Sequence, residues 1–384
     1  MCVPSSLVAA TMRRCSTVVT ARWRLGRPGL PGWSLHRGFA KNENAPVHIP
    51  VMLDETVGLW EQGVMSTNSH TNGSRFFVDG TTGFGGHSRA LLARNPDAQL
   101  LCIDRDPEIL AVAKANLHEY RSRVAFANGS YADIATHLRS AGFPERVAGI
   151  LVDLGANSFH FDEARRGFSW LHDGPLDMRF DQRSGAPTAA DVLNSASEVE
   201  LTRIFKQHGE ERLAKEYAKA IIRERDERNV TFRTTHDLRD CIERIANIWS
   251  LDKKSGKKNK KKDDIHAATR CFQALRIHVN DELVHVEEGV KSLARHIAPG
   301  GRLVTIAFHS LEDRPIKELF RTLDAVSRDE DKRDEVDDQS IHELLADSRT
   351  YRMVKRKAIK ATQEEIEQNP RSRSARLRCL EALT

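Results

Sequence analysis

The segment FFVDGTTGFGGHSRALL, residues 76–92, reads as a strand, a glycine-rich turn and the start of a helix. Gly80, Gly83, Gly85 and Gly86 let backbone N–H groups approach a ligand closely, and a helix beginning near His87 points its positive end at the same spot. The guest is either a phosphate or the carboxylate of a methionine moiety. The strict dinucleotide fingerprint fails here, because counting from Gly83 places Ser88 where the third glycine belongs. Asp104 closes the apolar run LLCI 19 residues after Gly85, where an acid accepts both hydroxyls of a ribose, although a strand-end Asp also serves as a turn residue or helix N-cap. Asp153 ends GILVD in the same manner, so two acids cap two strands around a glycine loop and outline a cofactor cleft. Tyr131, after VAFAN, is placed either to stack on an adenine face or to fill core.

These residues need a scaffold that brings strand ends together. Short apolar runs alternate with amphipathic stretches from Val47 onward, which predicts a parallel sheet flanked by helices, an α/β fold. Strands are expected at Phe76–Asp79, Leu100–Asp104, Val124–Ala127, Gly149–Asp153 and Arg302–Phe308. Residues 160–268 have a helical texture: Ser197 and Glu200 form a capping-box pattern, Leu213, Tyr217 and Ile221 follow at helical spacing, and Leu238, Ile242 and Ile245 mark another helix. The Lys-rich stretch 253–262 cannot pack and is expected as a flexible surface loop, either a solvated linker or an RNA phosphate contact. Leu283, Val286, Val290, Leu293 and Ile297 predict a helix running into a turn at Pro299-Gly300-Gly301. Residues 324–347 are acidic and poor in aromatics, which predicts a mobile excursion or loosely held helix, and the C-terminus turns basic.

Composition sets further bounds. The 384 residues contain no apolar run near the ~18 residues of a membrane span, and six scattered cysteines form no CxxC pair. The formal charge of +5 misleads, because residues 1–41 hold seven Arg and Lys and no acid, leaving −2 on the rest. An Arg- and Ser-rich leader without a compact apolar segment predicts a mitochondrial transit peptide and a matrix location, against the alternative of a disordered basic tail.

Nine blocks in order, among them HIPVMLDE, VDGTTGFGGHSRALL, IDRDP, GILVDLGANSFHFDEARRGFSW, GEERLAKEYAKAI, PGGRLVTIAFHSLEDR and NPRSRSARLR, give the chain a close resemblance. It resembles the RsmH (also called MraW) family of ribosomal RNA N4-cytosine methyltransferases, and within it the mitochondrial member. The resemblance implies a class I (Rossmann-like) S-adenosylmethionine-dependent methyltransferase fold with an inserted helical domain at 160–268, between methyltransferase parts at 47–159 and 269–384. Carried over by position, Gly85, Gly86, His87, Asp104, Tyr131, Asp153 and His160 are the cofactor contacts. The family usually has Phe where Tyr131 stands and Gln at His160, and its DLGVSSPQ pattern reads DLGANSFH here.

The implied reaction is attack of the cytosine N4 nitrogen on a sulfonium methyl, with no metal. It needs acceptors for an N4 proton. Asp153, Asn157 and Ser158, with His309 and Ser310 of the FHSLED loop, are the candidates. Arg165, Arg166, Arg276, Arg314 and the arginines of NPRSRSARLR are candidate phosphate contacts, whereas Arg179 is expected to pair with Asp177 or Asp181. The implied partners are mitochondrial small-subunit rRNA or the assembling small subunit, with room for an assembly-factor protein. Two other readings stand beside this one: a nicotinamide-dependent dehydrogenase, and an RNA-binding assembly factor without catalysis.

Overall fold

The computed structural model describes residues 49–63, 75–252, 266–333 and 336–384. The leader at 1–41 and the Lys-rich stretch 253–262 lie outside the described residues. Seven strands form one sheet: β1 Arg75–Asp79, β2 Ala98–Asp104, β3 Val124–Asn128, β4 Val147–Asp153, β5 Ile297–Ala307, β6 Tyr351–Met353 and β7 Arg376–Ala382, in the order β3-β2-β1-β4-β5-β7-β6. The first five are parallel, and β7 runs antiparallel to both β5 and β6. Parallel strands buried on both faces need continuous apolar runs, which LLCI of β2 and VAGILV of β4 supply. Chain order reverses between β1 and β4, and a crevice opens there at the strands' carboxyl ends. This is the class I methyltransferase architecture, extended by the antiparallel pair.

All five expected strands form, with two differences around them. The Pro299-Gly300-Gly301 turn lies inside β5 as a bulge: Val147 pairs with Ile297 and Gly149 with Arg302, so the extra residues loop out. Gly300 takes φ 78°, and a side chain on Gly301 would meet the Ala298 and Ala148 carbonyl oxygens at 2.8 and 2.9 Å. The acidic segment 324–347 is not a mobile excursion where it is described. Asp324 is buried and accepts from the Met353 N–H, and Ile341, Leu344 and Leu345 sit in the main core. Asp338 caps the short helix Gln339–Leu344, whose Ile341 and Leu344 are buried, and pairs with Lys291.

The helices Glu198–Gly209, Ala214–Arg228, Thr235–Asp252 and Ala267–Val279 share a separate apolar core. Ser197 caps the first of them by accepting from Glu200 N–H. The last carries Ala268, Cys271, Phe272 and Leu275 into this core, so the insertion's packing extends past residue 268 to about Val279. Among the described residues no helix is long and apolar enough to cross a membrane.

A charged knot joins insertion to sheet. Asp106 accepts from Glu108 N–H with one oxygen, capping the helix Pro107–Asn116, and its other oxygen meets Arg166 at 2.7 Å and His160 at 2.9 Å. Arg166 is 1% exposed and also donates to the Arg179 and Phe180 carbonyls. Arg276 forms a buried fork with Glu282, and Arg378 does so with Asp313. Arg166, Arg276 and Arg378 are therefore architectural, which corrects their assignment as phosphate contacts: each is buried and paired with a carboxylate. Arg179 grips Asp177 as expected, while Asp181 pairs with Arg183.

Removing one member of a buried pair strands the other charge. Arg166→Met should cost about 3 kcal/mol or more in chemical denaturation. Arg165→Met, at a half-exposed residue paired with Glu108, should cost under about 1 kcal/mol.

Candidate functional site

Three neighbouring parallel strands each end in an aspartate: Asp79 on β1, Asp104 on β2 and Asp153 on β4. Asp104 and Asp153 line a cavity of about 400 Å³, walled also by the glycine loop, Asn157, Ser158, Phe308, His309 and Glu312. Asp79 is buried just behind the loop, accepting from Thr81 N–H and Ser88. The motif reading passes over Glu312 in the lining and Asp79 behind it. Asp79 was legible as the third strand-end acid, directly before Gly80. Glu312 carried no such signal, since only the folded chain sets it under the loop after β4.

The glycine loop is shaped from both sides. Gly83 N–H donates to Asp104 at 2.9 Å, and Gly83 and Gly85 adopt φ 54° and 82°. A Cβ on Gly86 would lie 2.2 Å from Pro50, so Pro50 presses on the start of the Gly86–Arg94 helix. Ser88, standing where a dinucleotide fold has its third glycine, donates to Asp79 at 2.6 Å. His87 Nε2 lies 2.9 Å from the Val51 carbonyl, and its Nδ1 is 4.0 Å from Asp153.

The cavity is electrostatically unbalanced. Burial pushes Asp79 up to about 6 and Asp104 up to about 7, against the pull of hydrogen bonds from Ser88 and Thr81 in one case and from the Asp106 and Gly83 N–H groups in the other. Asp153 is raised well above the carboxylate range by burial and then by Asp79 and Glu312, and its buried Oδ1 has no hydrogen-bond partner. Burial also opposes ionisation of Glu312, but His309, with Nε2 at 2.9 Å, the Arg276 charge and the Phe308 N–H hold its pKa below the usual range. None of these four acids forms an ion pair with Lys or Arg among the described residues. Once ionised, these acids favour a cationic ligand, although Arg105, Arg276 and Arg371 line the same cavity. The dinucleotide reading is opposed by the motif, where Ser88 replaces the third glycine.

The remaining candidates fall into two groups. Asn157, Ser158 and His309 line the cavity with Asp153. Ser310 turns away and donates to Glu210 of the insertion. Tyr131 lines the cavity and packs so closely on the Glu282–Arg295 helix that a Cβ on Gly289 would fall 2.4 Å from its ring. His160 also lines it, but both ring nitrogens are taken: Nδ1 accepts from Asn157 N–H at 3.0 Å and Nε2 meets Asp106.

Residues 45–383 match the model of the MraW methylase family. The chain belongs to that family. Among its relatives are proteins named ribosomal RNA small subunit methyltransferase H. That of Citrifermentans bemidjiense is 41% identical over 88% of this chain and 98% of the relative, and that of Chromohalobacter salexigens is 40% identical over 88% and 92%. The one from Thermobifida fusca is 39% identical over 90% and 95%. This MraW-family methyltransferase uses S-adenosylmethionine, whose ammonium and sulfonium supply the positive charge that the acids lack. Asp104 and Asp153 line the cavity beside the glycine loop.

A carboxyl whose native pKa exceeds its unfolded value favours the fold while protonated, and that contribution is lost as pH rises through the native pKa. Asp79 and Asp104 should therefore weaken the apoprotein as pH rises from about 4 to about 7, and cofactor should offset the loss. The thermal shift given by S-adenosylmethionine should grow from pH 6 to 8, with apparent Kd falling by up to about tenfold per unit below pH 7. Asp104→Asn should weaken binding and flatten this profile.

Proposed function

We propose that this enzyme methylates the N4 nitrogen of a cytidine in small-subunit rRNA, and that it does so in the mitochondrial matrix on the assembling small subunit. The rRNA substrate is the one that the relatives' names carry, and the Arg-rich leader supports the compartment. The observation that carries the chemistry is the set of proton acceptors at the cavity: Asp153 with an unpartnered oxygen, and His309 backed by the buried Glu312. When bound, S-adenosylmethionine supplies an electrophilic methyl. The chain must then hold an exocyclic amine in line with it and take up the proton that N4 sheds. Asp153, with Asn157 and Ser158 beside it, holds the amine's N–H groups, and His309 takes the proton, with Glu312 2.9 Å from its Nε2 orienting the ring.

The alternative cytosine chemistry, methylation at ring carbon, proceeds through a cysteine nucleophile. Cys102, Cys241, Cys271 and Cys379 are all buried, and none lines the cavity. The loop's departure from the family pattern does not favour a silent assembly factor, because Asn157 and His160 cap each other reciprocally and keep it ordered. The target cytosine must be unpaired or flipped to enter.

The test uses chain lacking residues 1–41, labelled cofactor, small-subunit rRNA from depleted cells and nucleoside mass spectrometry. Label should appear in N4-methylcytidine. His309→Ala should lower kcat by about a hundredfold or more with cofactor Kd nearly unchanged. Label in another nucleoside, or none despite cofactor binding, refutes the reading.

A further inference from the structure

Once Arg166, Arg276 and Arg378 are withdrawn into buried pairs, the RNA backbone must be met by other cations. The helix Ala214–Arg228 buries Ala214, Tyr217, Ala218, Ile221 and Glu224 along one side. Lys215, Lys219 and Arg223 recur every four residues on the opposite side, continuing the line of Arg212 just before the helix, and all four are exposed. None of them lies within ion-pair distance of an acid among the described residues. The contrast with the helix's other face is plain, since Arg225 pairs with Asp226 and Arg228 with Glu224.

The stripe also has a direction. Its first members, Arg212 and Lys215, share a surface hollow with Lys206 of the preceding helix. The hollow's two acids are engaged elsewhere: Glu211 holds Arg270 at 2.5 Å, and Glu210 accepts from Ser310 at 3.1 Å and lies 3.7 Å from Arg314. Ser310 is the neighbour of His309, so the stripe starts at the corner where the insertion touches the reacting end of the cavity. Four residues of helix rise about 6 Å, so the three helical cations span about 12 Å leading away from that corner.

We propose that Arg212, Lys215, Lys219 and Arg223 form a track for the phosphodiester backbone of the RNA strand whose target base enters the cavity. The proposal rests on the rRNA reading above. Unpaired exposed cations bind phosphates without reading sequence, at an affinity that falls with salt.

The test compares the wild-type chain with Lys215→Glu/Lys219→Glu/Arg223→Glu and with a charge-matched control, Arg121→Glu/Arg139→Glu/Arg146→Glu. The control's Arg121 and Arg146 precede β3 and β4, at the sheet edge opposite the cavity. Binding of a small-subunit rRNA transcript is measured across a salt series, with the cofactor thermal shift as a check on folding. The stripe variant should lose at least about tenfold in affinity and about 2 in the slope of log K against log salt, with an unchanged thermal shift. The three-glutamine version should fall between it and wild type, and the control should stay near wild type. Unchanged RNA affinity and slope in the stripe variant, or an equal loss in the control, overturns the proposal. Wild type that binds and follows this pattern but labels no N4-methylcytidine refutes the reaction and leaves the track standing.

Discussion

Parallel strands deliver their last residues to one edge of the sheet, and here those residues are acids. Asp79, Asp104 and Asp153 stand side by side on β1, β2 and β4, with Glu312 joining them from the segment after β5. In water the four would repel weakly, but burial raises the pKa values of the three aspartates, and Asp79 adds to the rise at Asp104 and Asp153, while His309 and Arg276 hold Glu312 low. The surroundings answer with N–H groups rather than with Lys or Arg: Gly83 and Asp106 on Asp104, Thr81 on Asp79, Phe308 on Glu312. A backbone donor steadies a carboxylate without filling the cavity or cancelling its charge, so the site keeps its appetite for a cation. The loop therefore has to curl as it does, and Pro50 has to lean on Gly86.

The same economy explains how the insertion is attached. Asp106 lies two residues beyond Asp104, so the turn that presents one acid to the cavity also presents the other to Arg166 and His160. Asn280 closes the opposite end, donating to the Met178 carbonyl and accepting from Phe180 N–H, while Arg105 donates to its carbonyl. Both ends of the insertion thus bond to the Arg105–Asp106 turn or its neighbours.

Apolar periodicity made the sheet and most helices legible, because burial on both faces demands runs that no loop would tolerate. Asp104 and Asp153 were legible for the same reason, as acids closing such runs. Charge was legible in sign but not in use. Arg165 and Arg166 are adjacent and alike in sequence, yet one is half exposed and the other is sealed against Asp106, and only contacts across 60 residues decide which. The acidic stretch misled in the same way, since Asp324 and Asp338 are tied to Met353 and Lys291 far along the chain. β7 was hidden because RLRCLEA shows its arginines more plainly than its alternation, and Arg378 faces a buried acid instead of solvent.

The His160 position shows how a site can change residue type and keep its logic. The resemblance puts Gln there, a side chain that offers one carbonyl acceptor and one amide donor. In this chain the ring accepts from Asn157 N–H through Nδ1, so the proton resides on Nε2, which donates to Asp106. Burial lowers the His160 pKa more than its Asp106 partner raises it, so the ring stays neutral and keeps that one-donor, one-acceptor pattern. The imidazole therefore reproduces the amide's two bonds, and it adds a flat face stacked on Phe168 at 4.7 Å. What the position requires is a neutral bridge between the loop after β4 and the turn after β2, and either side chain supplies it.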